Sequence, residues 1–148
     1  MKLEILLEEA SDLNQRIKSI LTESGFYRTY GLDAVDFDEN NMDHLYAMEH
    51  LERCMERLKN VSAELDHVTG AVVYEGRLHK NVTGRYGIGD YDLSAGAHLE
   101  YISRDDRHGG KPYWKYSQIE HCGEDYRLTA EKELPLEGLY VRIKGTEE

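Results

Sequence analysis

Proline and cysteine are scarce in this chain, with 2 of each among 148 residues. Two prolines leave no Pro-rich linker. The 13 glycines are scattered and form neither a P-loop nor a dinucleotide-binding turn. The two cysteines sit apart, Cys54 in a helical pattern and Cys122 at an expected hairpin tip, and do not suggest a disulfide framework. No long apolar run is present. The stretch MKLEILLEEASDLNQ breaks its apolar residues with Glu4, Glu8 and Glu9, which argues against a signal peptide or a spanning helix. The expected compartment is the cytoplasm, and no membrane partner is expected. Without an export signal, the sequon-like Asn81-Val82-Thr83 reads as a turn.

Positive charge is the other shortage. Lys and Arg number 18 against 29 Asp and Glu, a net charge of −11. The excess is uneven: residues 1–70 hold 15 acidic and 7 basic residues, a balance of −8, and residues 71–148 hold 14 and 11, a balance of −3. A surface this negative repels phosphate backbones unless a basic patch overrides it. Direct nucleic-acid binding is therefore not expected of the first half. Two uses of the charge remain, solubility and docking into a basic groove on a partner. With 40% hydrophobic residues in clear periods, the chain reads as globular, either one domain or two small modules.

The first period is helical. Leu3, Leu6, Ala10, Leu13, Ile17 and Ile20 are spaced 3, 4, 3, 4, 3, an a/d stripe predicting a helix over about 2–23, closed by Ser24-Gly25. Met48, Leu51, Met55, Leu58, Ser62 and Leu65 repeat the spacing in a second helix over about 42–68, with Leu45, Val61 and Val68 beside the stripe. Asn40 or Asn41 would cap it, Asp43 favours the positive end of its dipole, and Thr69-Gly70 ends it. Two such stripes are expected to close on each other as an antiparallel helical hairpin, with Ser62 a polar break where the pair splays. The same stripes also allow pairing between chains as a homodimer.

Residues 24–41 make a long connection with Phe26, Tyr27, Tyr30 and Phe37 among Asp33, Asp36, Asp38 and Glu39. Long ordered loops of this kind are often binding loops. The plainer reading is that the rings cap the hairpin and the acids are solvated. The candidate partner-binding set is Tyr27, Tyr30, Asp33, Asp36, Asp38, Glu39 and Asp43.

From Ala71 the period becomes two. VVYEGRLHKN reads as a strand with a bulge at Gly76, NVTGRYGIGD as a turn and short strand, and HLEYISRD and KPYWKYSQIEH as longer strands. In the last, Tyr113, Lys115, Ser117 and Ile119 should face one way and Trp114, Tyr116 and Gln118 the other. Cys122-Gly123-Glu124 turns into DYRLTA, and ELPLEGLYVRIK closes the set with Pro135 outside the pairing. The expected fold class is α+β: a helical hairpin over 1–70, then a small antiparallel β-barrel or curved sheet over 71–148.

Gly76-Arg77-Leu78, Trp114, Ile119-Glu120-His121, Gly123-Glu124-Asp125-Tyr126 and Leu136, Gly138, Leu139, Val141, Arg142 and Ile143 follow one another in a recognisable order. In that order the C-terminal half resembles the bacterial "domain of unknown function 5348" family. The resemblance covers about 76–144; the chain departs from it in a longer SRDDRHGGKPY segment and in the helices that precede it. It implies a compact β-domain in a phage or mobile-element setting, and it supplies no catalytic residues.

Sites for chemistry are weak. His50 and Cys54 lie four apart on the second helix, but a structural zinc site needs two such pairs, so no metal or cofactor is expected and Cys54 reads as a small apolar residue buried at the flank of the hairpin seam. Asp36, Asp38 and Asn40 begin like a calcium loop, but Asn41 and Ala47 stand where glycine and glutamate are required. Glu120, His121 and Glu124 could form an acid–base cluster for a hydrolase, or a plain turn; no nucleophile or oxyanion loop accompanies them. Lys111, Tyr113, Trp114 and Lys115 form the one basic-aromatic stretch, an alternative nucleic-acid-binding strip. The leading expectation is a non-enzymatic acidic protein that blocks a basic nucleic-acid-binding surface of a host protein, as an anti-CRISPR inhibitor of a CRISPR effector would.

Overall fold

The structure, a computed structural model, describes residues 1–145. N-terminal helices precede antiparallel sheets, and the chain divides into two compact units, one of residues Met1–Gly70 and one from Ala71 onward.

In the first unit, α1 spans Leu3–Glu23, α2 is a single turn at Phe26–Thr29, and α3 spans Met42–Thr69. Gly25, at φ 83°, supplies the left-handed residue that ends α1. Asn41 caps α3: its side-chain oxygen accepts from the backbone N–H groups of Asp43 and His44. The two long helices are antiparallel. Asn14 bonds to Ser62 and Asp66, whereas Tyr30, beyond the end of α1, lies against Lys59. As one helix advances the other recedes.

On α3 the seam follows the expected stripe, with Met55 and Ser62 buried and Met48, Leu58 and Leu65 packed against the helical core, but on α1 it does not. Buried along α1 are Asn14, Ile17 and Leu21, and along α3 Met55 and Ser62. Leu3, Leu6, Leu13 and Ile20 stay exposed, as do Leu51 and Cys54, the latter expected to be buried beside the seam. The helices are rotated so that a polar clasp closes the pair. The Ser62 hydroxyl donates to Asn14 Oδ1 at 2.7 Å, Asn14 Nδ2 donates to Asp66 at 2.9 Å, and Lys18 pairs with Asp66 at 2.7 Å. Asn14 and Ser62 are 3% and 2% exposed. Ser62 therefore marks close packing, not splay: burial of an amide and a hydroxyl is tolerated because each satisfies the other.

The second unit holds β1 (Val72–Arg77), β2 (His79–Lys80), β3 (Tyr86–Ile88), β4 (Tyr91–Asp92), β5 (His98–Ser103), β6 (Tyr113–Cys122), β7 (Asp125–Leu128) and β8 (Tyr140–Lys144). Five strands form one sheet in the order β1-β8-β5-β6-β7, and β2-β3-β4 form a second. Among the described residues the larger sheet ends at β1 on one side and β7 on the other, so the barrel does not close. The bulge lies at Val73, where the register shifts between Val72 and Tyr74, and not at Gly76. Asn81 builds the expected turn, its Oδ1 accepting from the N–H groups of Thr83 and Arg85. Gly123, at φ 62°, and Glu124 form the two-residue hairpin between β6 and β7. Leu78, Leu93, Leu99, Tyr101, Ile119, Leu128 and Val141 are the centre of the core.

Candidate partner-binding surfaces

The loop between α1 and α3 is anchored from inside. Phe26 and Leu32 are buried in the helical core, and Val35 packs against it. Backbone bonds fix the ends, Ala34 N–H to Ser24 O and Val35 N–H to Leu32 O. Asp38 is held on three atoms: its N–H donates to His44 Nδ1, its Oδ1 accepts from Asn40 N–H, and its carbonyl accepts from Asn41 N–H. Tyr30, at φ 59°, is the one non-glycine in the left-handed region among the described residues. It is 64% exposed, set edge-on to Phe26 with the Lys59 ammonium 4.2 Å from its ring centroid. Tyr27 and Phe37 are also exposed.

These anchors leave the carboxylates outside. Asp33, Asp36, Asp38, Glu39 and Asp43 are all exposed, and among the described residues none enters an ion pair. From Thr29 to Glu52 there are seven Asp and Glu and no Lys or Arg. Asp43 has a local role as well, lying in the first turn of α3 where a negative charge favours the helix dipole.

The alternative strip of Lys111, Tyr113, Trp114 and Lys115 is not one surface. Alternation along β6 turns Tyr113 and Lys115 to the side of Asp105 and Glu131, and Trp114 to the opposite face, while Lys111 precedes the strand. The Tyr113 hydroxyl donates to Asp105, and Lys115 Nζ sits 3.0 Å from Asp105 and 3.5 Å from Glu131. Glu131 accepts from the hydroxyls of Ser103 and Tyr101. The consequences are electrostatic. Bonds from Lys115 and Tyr113 hold the Asp105 carboxyl down at about 2. The Ser103 hydroxyl and then Tyr101 lower Glu131, whereas burial and the Glu131 carboxylate push Tyr101 up. This satisfied network ties the β5–β6 hairpin to the segment after β7.

The opposite face of the larger sheet carries residues the sequence reading did not join. Register places Trp114 beside Ile102 and Tyr116 beside Glu100, with Glu100 in turn beside Arg142 and Arg77 beside Tyr140. Arg142 bonds to Glu100 at 2.5 Å and lies 4.2 Å from the Trp114 ring centroid. Trp114 and Tyr140 are 6.1 Å apart, and His98 bonds and stacks on Tyr116. Alternation in β6 and β8 would have given each strand's share. Their meeting depends on the strand order.

Glu120, His121 and Glu124 do not converge. Glu120 bonds to Arg127, His121 lies against Tyr126, and Glu124 is in the turn. Among the described residues no three His, Cys, Asp or Glu side chains gather to hold a metal, and no helix is long and apolar enough to cross a membrane. Residues 76–143 match the model of the family described as Domain of unknown function (DUF5348). No curated protein and no solved structure matches the chain.

Proposed function

Taking residues 76–143 as a domain of the DUF5348 type, we propose that the protein is a non-enzymatic binding factor whose acidic helical unit docks on a basic surface of a partner protein. One observation carries the reading: an internally anchored loop and the first turn of α3 after it present five exposed carboxylates in a stretch with no compensating Lys or Arg. A fixed field of one sign steers a basic groove into contact and sets its register. Tyr27, Tyr30 and Phe37 add exposed rings, which supply contact area at small entropic cost. The concrete form is a counter-defence protein of a phage or mobile element, of the anti-CRISPR kind. Its carboxylates would fill the channel of a host effector that otherwise holds nucleic acid. The mobile-element setting rests on the family resemblance alone.

The test is capture of partners from host cytosol, followed by affinity measurement with Asp33, Asp36, Asp38 and Glu39 each changed to Lys. Affinity should fall roughly tenfold or more, and its salt dependence should flatten. Unchanged affinity rejects the loop as the contact. The Trp114–Tyr140–Arg142 cluster favours a second reading, a sheet that stacks single-stranded nucleic acid. A low-salt gel shift with single-stranded and duplex oligonucleotides separates the two.

A further inference from the structure

We infer that the protein is a homodimer held by one apolar face of its helical unit, the helices of two copies forming a four-helix bundle. The inference is independent of the acidic loop. It starts from the mismatch between the heptad stripe of α1 and the seam in the fold, and from the apolar residues left exposed beside the seam on α3.

On α1 the inward residues Leu7, Asn14 and Leu21 are each preceded by an exposed apolar residue, Leu6, Leu13 and Ile20. On α3 the inward residues Met55, Ser62 and Thr69 are each preceded by an exposed Cys54, Val61 or Val68. A step back of one residue turns the direction by about 100° on either helix. Because the two facing helices run in opposite directions, the turns are of opposite sense when seen down the pair and bring both rows to the same side of it. The six residues thus share one face. Leu6, Leu13 and Val68 are 51%, 52% and 56% exposed on it.

This arrangement points to another helix pair as the occupant. Along α3, exposed Leu51, Cys54, Val61 and Val68 interleave at intervals of 3 and 4 with Leu58 and Leu65, which also pack against the helical core, so the apolar arc of α3 runs on past the row that meets α1. A helix with one neighbour needs one such row; a helix in a four-helix bundle has two neighbours and needs two. Stable dimers bury about 800 Å² per partner. The row offers several hundred Å² before the stems of its rim residues are added, at the upper end of what a monomer leaves open. The rims carry both signs, with Glu9, Arg16 and Glu23 along α1 and His50, Arg57 and Glu64 along α3. A second copy can therefore set arginine against glutamate at its edge, which is the self-complementarity a twofold interface requires.

Sedimentation equilibrium of the full chain tests the inference. Wild type should be a dimer that tightens as salt rises, because each helical unit carries a balance of −8 and screening relieves the repulsion between copies. Binding by the acidic loop should weaken with salt, so the two surfaces are told apart by sign. Leu13→Glu with Val61→Glu should give a monomer of unchanged helicity. Should that pair disturb folding, Leu13→Gln with Val61→Thr should still raise the dimer dissociation constant at least tenfold. A wild-type monomer up to the limit of solubility, or a dimer unaffected by either pair, overturns the inference.

Discussion

The shifted carboxylates of the second unit are tuned by their partners more than by depth. Asp105 is reached by the Lys115 ammonium and the Tyr113 hydroxyl, and its carboxyl is held at about 2. A depressed carboxyl favours the fold at every pH above its unfolded value, about 4, and that contribution disappears as the pH falls through the folded value. Glu131, also lowered, acts in the same sense. Melting temperature should therefore decline between about pH 4 and pH 2, and Asp105→Asn should flatten that decline while lowering stability at neutral pH. Thermal melts at stepped pH values measure both effects. An acid limb unchanged in the variant would show that other carboxyls dominate. Lys115 was legible in the sequence as a basic residue among aromatics, but its two carboxylate partners lie 10 and 16 positions away and turn it from a ligand group into a strut.

Elements were the most legible level. The period of α1 and α3, the Ser24-Gly25 stop and the Asn41 cap all depend on residues within one or two turns, and each stands in the fold as read. What the period could not give is the rotation of the pair. A 3-4 apolar spacing marks an arc wider than one seam, and Asn14 and Ser62 choose which part of the arc closes. Ser62→Ala leaves the buried Asn14 carbonyl without its donor, so it should cost about 1–3 kcal/mol in urea unfolding. A cost near zero would mean the clasp does not set the seam. The strands show the same division. Alternation placed Tyr113, Lys115, Ser117 and Ile119 on one face of β6 and Trp114, Tyr116 and Gln118 on the other. It could not say which strand lies next to which.

For the whole molecule, two cores stand within one chain. Leu78, Tyr101, Ile119, Leu128 and Val141 are sealed among residues of the second unit, and Ile17, Leu21, Phe26 and Met55 among residues of the first. Residues 71–148 expressed alone should therefore fold, with a sheet-type circular dichroism spectrum and one cooperative melt. A spectrum typical of an unfolded chain would show that the first unit is required. The uneven charge fits this division, since the −8 balance belongs to the helical unit.

The sequence by itself determined the helices and their ends, the change of period at Ala71, and the match of residues 76–143 to a family model. These are signals carried by neighbours, because backbone geometry repeats over a few residues. It also located the acidic loop, since charge density needs no fold to be counted. Tertiary structure alone decided which row of α1 is inside, that β8 lies between β1 and β5, and hence that Tyr140 and Arg142 meet Trp114. Those choices depend on contacts between distant positions, 48 residues apart for Asn14 and Ser62 and 42 for Glu100 and Arg142, where no local period applies.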